Sequence, residues 1–242
     1  MFFLDPMYLI FMVPAFLLML LTSWYVKAAY NKWSRVPARS RLTGAQAAQR
    51  LITNAAYSTT TNGQGLSDVR VMGIGGNLSD NYNPRDKTLY LSPSVANGAS
   101  VAALAVAAHE LGHAVQDSED YFPMRLRSAL VPAVNIGSTL GWILILVGLF
   151  LHWVNIAWLG VLVFSAGAVF ALATLPVEFN ASSRAKRMLV ESGLIQGDDE
   201  ERGVNNVLNA AALTYVAGLV TAVLQLLYYV MLVSGMGGRR RA

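Results

Sequence analysis

At residues 107–114 the chain reads Ala-Ala-His-Glu-Leu-Gly-His-Ala, near the end of an alanine-rich stretch. Alanine favours helix, and residues four apart on a helix lie one turn above each other on one face. His109 and His113 are therefore placed to present two imidazole nitrogens to one metal ion, with Glu110 beside the ion as a base for a water molecule. The alternative is a helix that carries these residues without a metal role. The specific five-residue spacing favours a metallohydrolase.

The composition indicates a membrane protein with several spans. Hydrophobic residues make up 55% of the chain and charged residues only 13%, against about a quarter in soluble domains. The net charge is +4, but the basic residues flank apolar runs instead of forming a stripe with interleaved aromatics, so no nucleic-acid partner is expected. The chain has no cysteine, which excludes disulfides, a thiolate metal site and a cysteine nucleophile.

Apolar runs long enough to cross a bilayer as helices occupy residues 6–26, 130–151, 153–175 and 213–233. The first run is followed, not preceded, by positive charge, so we expect an uncleaved anchor instead of a secretory signal. The second and third runs form a hairpin.

The positive-inside rule assigns an orientation to these runs. Basic residues follow the first run and flank the hairpin on both sides, which places these ends in the cytoplasm: Lys27, Lys32, Arg35, Arg39 and Arg41, then Arg125 and Arg127, then Arg184, Lys186 and Arg187. The last run would leave Arg239, Arg240 and Arg241 outside, against the same rule. Its orientation therefore stays open.

Between the first run and the hairpin, the helical signals are clear. Residues 43–57 are expected to form an amphipathic helix opened by a capping box of Thr43 and Gln46, followed by a polar linker at 58–65. Residues 100–117 are expected to form the motif helix. Its uncharged part is too short for a membrane span, so it is expected to be the core helix of a compact domain.

A small strand unit is predicted just before the motif helix. Residues 68–74 and 87–92 alternate as strands do, with Leu89 and Leu91 on one face and Tyr90 on the other. The segment between them is rich in turn formers, which predicts a hairpin or an edge-strand unit.

A zinc hydrolase usually needs three protein ligands and an open fourth position. The remaining histidine, His152, falls in the hairpin turn, across the membrane from the motif. The third ligand must then be a carboxylate, and Glu178 is the best placed, since two crossings return the chain to the side of the motif. The other carboxylates are expected too close behind the motif helix, far along the next helix, or in an acidic loop at 196–201: Asp117, Glu119, Asp120, Glu191 and Asp198 to Glu201. The alternative is that Glu178 has no metal role. A helix is predicted at 177–194 with Pro176 at its start, and a carboxylate near its start would interact with the helix dipole.

Several blocks along the chain carry a family resemblance: Tyr82-Asn83-Pro84-Arg85, Leu91-Ser92-Pro93, Ala105-Val106-Ala107-Ala108-His109-Glu110-Leu111-Gly112-His113, Leu175-Pro176-Val177-Glu178-Phe179 and Val207-Leu208-Asn209-Ala210-Ala211-Ala212-Leu213-Thr214-Tyr215. These blocks resemble the YugP-type neutral zinc metallopeptidases of bacterial membranes, over nearly the whole chain. That family is similar to the HtpX-type membrane proteases, whose zinc is held by HExxH and by the glutamate of an E-x-x-A-D segment.

The resemblance has one departure. Glu178-Phe179-Asn180-Ala181-Ser182 matches the glutamate and alanine of that segment, but Ser182 stands where an aspartate would orient a zinc-bound histidine. Support for the ligands must then come from Ser182, Asn180 or another group.

We therefore expect a membrane α+β protein with about four transmembrane helices and a small zincin-like catalytic domain, an HExxH helix plus a short β-sheet, on the membrane surface. The expected segments are an N-terminal anchor (1–27), a first catalytic part (28–128), a transmembrane hairpin (129–176), a helix with the third ligand (177–204) and a final span with a basic tail (205–242).

The expected activity is peptide-bond hydrolysis at a gluzincin-type site with one Zn²⁺ per chain. His109, His113 and Glu178 are the expected ligands and Glu110 the general base. Oxyanion donors are expected among Arg184, Arg187 and Tyr215, provided that they point inward. Similarity to other zincins predicts that an extended substrate pairs with Leu89, Tyr90 and Leu91.

The expected location is the bacterial plasma (inner) membrane, with the active site at the cytoplasmic face. The expected partners are membrane or misfolded polypeptides and the lipid bilayer, and a larger membrane assembly stays open. Two other classes also stay open: a non-catalytic zinc scaffold, and a site-2-type intramembrane protease. The latter would usually carry an aspartate in a downstream span, and residues 130–175 and 213–233 contain none. Histidine and carboxylate ligands would also accept other divalent metals.

Overall fold

The computed structural model describes residues 5–57 and 66–238, and this part of the chain is mostly helical. Its elements in order are α1 (Pro6–Trp33), α2 (Gly44–Tyr57), β1 (Arg70–Gly73), β2 (Asn81–Asn83), β3 (Thr88–Leu91), α3 (Pro93–Ala96), α4 (Val101–Ser118), α5 (Phe122–Phe150), α6 (Val154–Phe164), α7 (Ala166–Glu191) and α8 (Asp198–Gly238). The predicted linker at 58–65 and the arginines at 239–241 lie outside the described residues.

Four helical stretches are long and apolar enough to cross a membrane: Pro6–Trp33, Phe122–Phe150, Val154–Glu191 and Asp198–Gly235. Each overlaps one of the apolar runs predicted from the sequence, to within one residue at the hairpin turn. In the most apolar part of each stretch, at most 22% of the residues are buried inside the protein. Because so much apolar surface faces outward, a lipid environment is the one that would cover it.

The chain divides into two compact units. The span unit comprises Met1–Ser23, Arg125–Pro176 and Thr214–Ala242, and the site unit comprises Trp24–Met124 and Val177–Leu213. The boundaries of these units fall after residues 23, 124, 176 and 213, and those of the segments predicted from the sequence after 27, 128, 176 and 204, so the boundary after Pro176 is the same.

The span unit contains the apolar runs that were predicted as a hairpin. The first run lies in α5, and the second forms α6 and the first part of α7. The chain reverses at His152, which has a φ of 55°. The helices approach closely where glycine leaves room: a Cβ on Gly160 would lie 2.6 Å from the Ile145 nitrogen. The unit's buried cluster consists of Ile145, Ala157, Val161, Tyr228, Tyr229 and Val233.

The predicted helix start at Pro176 is wrong, because α7 runs through this residue from Ala166 to Glu191. Proline removes one backbone donor inside a helix, but an apolar helix tolerates this loss, since unwinding would expose more unpaired backbone groups. Glu178 therefore stands in the middle of a helix and not at its beginning. The alternative role of Glu178 as a helix-start carboxylate is excluded with it.

The acidic stretch at 196–201 is also not the loop that was predicted. Asp198, Asp199, Glu200 and Glu201 form the first turn of α8, where carboxylates interact favourably with the helix dipole. Glu200 is only 2% exposed and accepts hydrogen bonds from the backbone nitrogens of Arg39 (2.6 Å) and Gln196 (2.7 Å).

In the site unit, the three strands form one sheet in the order β1-β3-β2. β1 pairs with β3 in parallel, so the two strands predicted from the sequence do not form a hairpin with each other. The hairpin is formed by β3 with β2, a short strand inside the segment that was predicted to contain only turns. Leu89 and Leu91 are fully buried and Tyr90 is half-buried on the other face, as the alternation predicted.

The sheet order overturns one prediction. Leu89, Tyr90 and Leu91 lie on the central strand, which has a hydrogen-bonded neighbour on each side. A substrate strand cannot pair with it, because both of its edges are already used. Within the described residues, the outer edges of this sheet belong to β1 and β2.

The motif helix α4 is held in position by contacts at its N-terminal end and by packing against α2. The Ser100 side chain caps it by accepting a hydrogen bond from the Ala103 nitrogen. The segment after α1 pairs with the same end, since Val101 donates to the Val36 carbonyl at 3.0 Å. Helix α2 packs against α4 and begins at the predicted capping box, in which Thr43 and Gln46 exchange hydrogen bonds.

Candidate metal centre

Three predicted ligands converge in the site unit. The Nε2 atoms of His109 and His113 lie 3.3 Å and 3.6 Å from Oε2 of Glu178. One ligand atom from each residue falls within 4.8 Å of the others. Glu178 is 2% exposed and His113 is 9% exposed, so the cluster lies largely in the interior. The helical spacing of the two histidines and the position of Glu178 on α7 thus produce the arrangement that the sequence predicted.

The two ligand-bearing helices touch at their smallest residues. A Cβ on Gly112 would lie 2.6 Å from the carbonyl oxygen of Ala181, closer than a side chain tolerates. Ala181 itself is fully buried. Because Gly112 precedes His113 and Ala181 follows Glu178 by about one helical turn, this contact sets how closely the ligands approach.

The outer nitrogens of both histidines face neutral groups. Nδ1 of His109 is 3.2 Å from the Ser182 hydroxyl, and Nδ1 of His113 is 3.0 Å from Oε1 of Gln116. Of the two supporting groups named from the sequence, Ser182 and Asn180, it is thus Ser182 whose side chain lies beside a ligand histidine. Asn180 contacts no ligand histidine through the hydrogen bonds described, but its Oδ1 accepts from Gln116.

Gln116 is the site residue that the sequence reasoning missed. It lies three residues after His113 on α4, a spacing that brings two helical side chains together, and this was the available signal. A neutral amide is not the usual partner of a metal-ligating histidine, which more often meets a carboxylate, a backbone carbonyl or water.

In the metal-free site, the pKa values of the two acidic groups, Glu110 and Glu178, are shifted in opposite directions. The pKa of Glu110 is raised, above all by burial and further by the charges of Glu178 and Asp80, although the two histidines oppose this. Burial would also raise the pKa of Glu178, but hydrogen bonds and charge from His109 and His113 outweigh it and hold that pKa well below its usual range. Glu178 is therefore the ionised carboxylate of the pair.

The pKa of His113 is raised in the metal-free site. Burial alone would lower it, but the hydrogen bond to Glu178 and the charge of Glu110 outweigh the desolvation. The anionic Glu178 thus favours a cation next to it, and without a metal that cation is a protonated histidine.

The three predicted oxyanion donors lie in different surroundings. Arg184 already uses two donor groups, with Nε 2.7 Å from Asn180 Oδ1 and Nη2 2.7 Å from Glu119 Oε2. Arg187 is an exposed residue of α7, and Tyr215 lies on α8 in the span unit. Their role at the oxyanion stays a prediction.

The donor set fits zinc. Two imidazole nitrogens and one carboxylate oxygen are ligand types that zinc prefers, and three ligands are the number found in catalytic zinc sites. The buried carboxylate faces the ligand side of the histidines, while their outer nitrogens have hydrogen-bond partners of their own. This is the arrangement that supports a metal-binding histidine.

The fold and the site together define a mostly helical protein with candidate membrane spans and a two-histidine, one-carboxylate metal centre. The chain belongs to the family described as "Putative neutral zinc metallopeptidase", which it matches over residues 8–234. It is 44% identical over 207 residues to "Putative membrane protease YugP" of Bacillus subtilis (strain 168), an alignment that covers 86% of this chain and 88% of that protein. No solved structure matches the chain. The resemblance predicted from the short blocks is confirmed.

Proposed function

We propose that this protein is a zinc metalloendopeptidase of the gluzincin type, with His109, His113 and Glu178 as zinc ligands and Glu110 as general base. The observation that carries the proposal is the convergence of the three ligand atoms within 4.8 Å, on a helix that places Glu110 directly after the first ligand. The family membership supports zinc as the metal and peptides as the substrate class.

When bound, zinc supplies a Lewis acid that makes a water molecule more acidic and polarises the scissile carbonyl. Glu110 accepts the proton of the attacking water and then delivers it to the nitrogen of the leaving amine. Its raised pKa suits both roles, because a carboxyl group that holds its proton more strongly is a better base. Ser182 and Gln116 hold the two imidazole rings while this happens.

The substrate is proposed to pair with the outer edge of β2, since the central position of β3 leaves it no free edge. Two observations support this edge. The Tyr82 hydroxyl of β2 donates to Oδ2 of Asp117 on α4 at 2.8 Å, which ties β2 to the motif helix. The charge of Asp80, just before β2, raises the pKa of Glu110, so this end of the strand lies near the base.

We propose the bacterial plasma membrane as the location, with the site at the cytoplasmic face and with membrane-associated or misfolded polypeptides as substrates. The positive-inside rule supports this orientation, because basic residues follow α1 and flank the hairpin. The membrane-protease description of the relative from B. subtilis supports the location.

The alternatives are less well supported. A site-2-type intramembrane protease needs its HExxH helix inside a span, but α4 is not among the candidate spans found in the described residues, and it packs against α2, α3, β2 and β3. A non-catalytic zinc scaffold has no use for a base, yet Glu110 is present beside the ligands.

The test measures zinc content and cleavage of an unfolded protein substrate by the purified full chain. Glu110→Gln is expected to keep zinc and to lose cleavage by roughly 10²–10⁴-fold, the usual worth of a general base. Glu178→Ala is expected to lose zinc. Glu201→Gln, at an exposed carboxylate that pairs with Lys186, is the matched control and is expected to change neither. Full cleavage by Glu110→Gln would refute the hydrolase proposal, and normal zinc binding by Glu178→Ala would refute the ligand assignment.

A further inference from the structure

Gln116 lies between the two helices that carry the metal ligands. It is 0% exposed, and its amide is used at both ends. Oε1 is 3.0 Å from Nδ1 of His113, while Nε2 is 2.8 Å from the Val177 carbonyl oxygen and 2.9 Å from Asn180 Oδ1. Val177 and Asn180 lie on either side of Glu178 in the sequence. Gln116 therefore contacts one ligand directly and holds the segment that carries another.

The partners of Gln116 determine which end of its amide faces which neighbour. The Val177 carbonyl oxygen can only accept a hydrogen bond, so it must face the NH₂ group. Asn180 Oδ1 is oriented in turn by the Nε–H of Arg184, a group that can only donate, at 2.7 Å. Reversing the Gln116 amide would put two acceptors against each other in the interior, which is costly. Its Oε1 is thus fixed toward His113.

This orientation decides the tautomer of His113. Because Oε1 can only accept, Nδ1 of His113 must carry a hydrogen, and Nε2 is left as the nitrogen that faces Glu178 and binds the metal. We propose that Gln116 is a positioning residue that keeps His113 in the Nδ1–H form and holds α7 in register through Val177 and Asn180. This inference rests on the zinc site proposed above.

The other ligand histidine has a less restrictive partner. The Ser182 hydroxyl near Nδ1 of His109 can both donate and accept, so that contact alone does not fix a tautomer. The two histidines therefore differ, and Gln116 is the stronger constraint on the geometry of the site.

The first test uses the zinc-loaded full chain in detergent with ¹⁵N-labelled histidine. The chain has three histidines, so its ring signals are few, and His152→Gln identifies the signals of the histidine that is not an expected ligand. The His113 Nδ1 proton is expected to give a distinct signal that exchanges slowly with water, since it is hydrogen-bonded in the interior. Zinc bound through Nδ1 of His113, or an Nδ1 position with no protected proton, would overturn the proposal without any variant.

The second test is Gln116→Met, which keeps the length of the side chain but removes both hydrogen-bonding ends. Zinc affinity, measured by competition with a chelator, is expected to fall roughly 10–100-fold, the usual effect of removing such a partner. The His113 Nδ1 proton is expected to lose its protection. Thr88→Val is the matched control, because it removes another buried hydrogen bond of the site unit, to the Asp86 carbonyl, and is expected to leave zinc affinity unchanged.

An unchanged zinc affinity together with a protected Nδ1 proton in Gln116→Met would refute the positioning role. Neither readout depends on cleavage. A failure of the hydrolase proposal, seen as full cleavage by Glu110→Gln, would therefore be distinguishable from a failure of this one. If Gln116→Met does not fold, the spectrum of the parent protein still decides the tautomer.

Discussion

Gly112 and Ala181 bring the two ligand-bearing helices into backbone contact, since a Cβ on Gly112 would lie 2.6 Å from the Ala181 carbonyl oxygen. In Gly112→Ala, α4 and α7 must move apart. Alanine gains about 1 kcal/mol of helix propensity, but overpacking in an interior costs roughly 1–3 kcal/mol, so a net loss of stability is expected. Zinc affinity is expected to fall as well, because the separation pulls Glu178 away from the histidines. Thermal unfolding and chelator competition measure the two effects.

Gly167→Ala is the control for this substitution. Gly167 is also helical, on α7, but a Cβ there would meet no atom within 4 Å. It is expected to be neutral or slightly stabilising and to leave zinc affinity unchanged. Equal behaviour of the two variants would show that the contact between Gly112 and Ala181 does not control the site.

In the metal-free protein, the interaction between Glu178 and His113 is expected to contribute most to the free energy of unfolding in mildly acidic solution. The pKa of Glu178 is lowered from 4.5, so its contribution is present above pH 4.5 and is lost as the pH falls further. The pKa of His113 is raised from 6.5, so its contribution is present below pH 6.5 and is lost as the pH rises through the higher folded value. Both contribute between those limits.

Unfolding of the metal-free parent and of Glu178→Gln across this pH range tests the pair. The difference in stability is expected to be largest between pH 4.5 and 6.5 and to shrink as the pH rises through the raised pKa of His113. Zinc must displace the proton of His113, so zinc affinity is expected to rise as the pH rises through the pKa of this histidine. If the difference in stability between the parent and Glu178→Gln does not change with pH, the proposed interaction between an ionised Glu178 and a protonated His113 is contradicted.

The buried carboxylate of Glu200 is expected to matter for folding and not for catalysis. It accepts from the backbone nitrogens of Arg39 and Gln196, and Glu200→Gln would turn one accepting oxygen into a donor that faces a backbone N–H. A loss of roughly 1–3 kcal/mol is expected, the cost of an unsatisfied buried group. Glu201→Gln, at its exposed neighbour, should unfold like the parent. Thermal unfolding of both variants makes the comparison.

The proposed orientation can be tested with single cysteines, because the chain contains none of its own. Asn54 is exposed on α2 in the site unit, and Asn155 is exposed near the hairpin turn. With the site unit in the cytoplasm, Asn155→Cys should react with an impermeant thiol reagent in intact spheroplasts, and Asn54→Cys only in inverted vesicles. The reverse pattern would place the candidate site outside the cytoplasm.

Local patterns in the sequence predicted much of this protein. The spacing of His109 and His113, the capping box of Thr43 and Gln46, and the apolar runs depend on residues within a few helical turns of each other, and all are present in the structure. Glu178 could be predicted as the third ligand because so few residues in the chain could complete a ligand set.

The features that the sequence did not predict depend on distant contacts. Glu200 meets Arg39 across 161 positions, and this contact makes a helix start out of what looked like a loop. Gln116 acquires its role only through the register of α4 against α7. β2 has three residues, too few to show strand alternation, so the central position of β3 could not be inferred.

The ligands of the candidate centre are unevenly spaced along the chain, and this has a consequence for biosynthesis. Glu178 follows His109 by 69 positions, and the hairpin formed by α5, α6 and the first part of α7 lies between them. A ribosome releases both histidines well before the glutamate, so the nascent chain holds an incomplete ligand set until both hairpin helices have been made. The order of synthesis therefore delays completion of the candidate metal centre until the whole hairpin has been made.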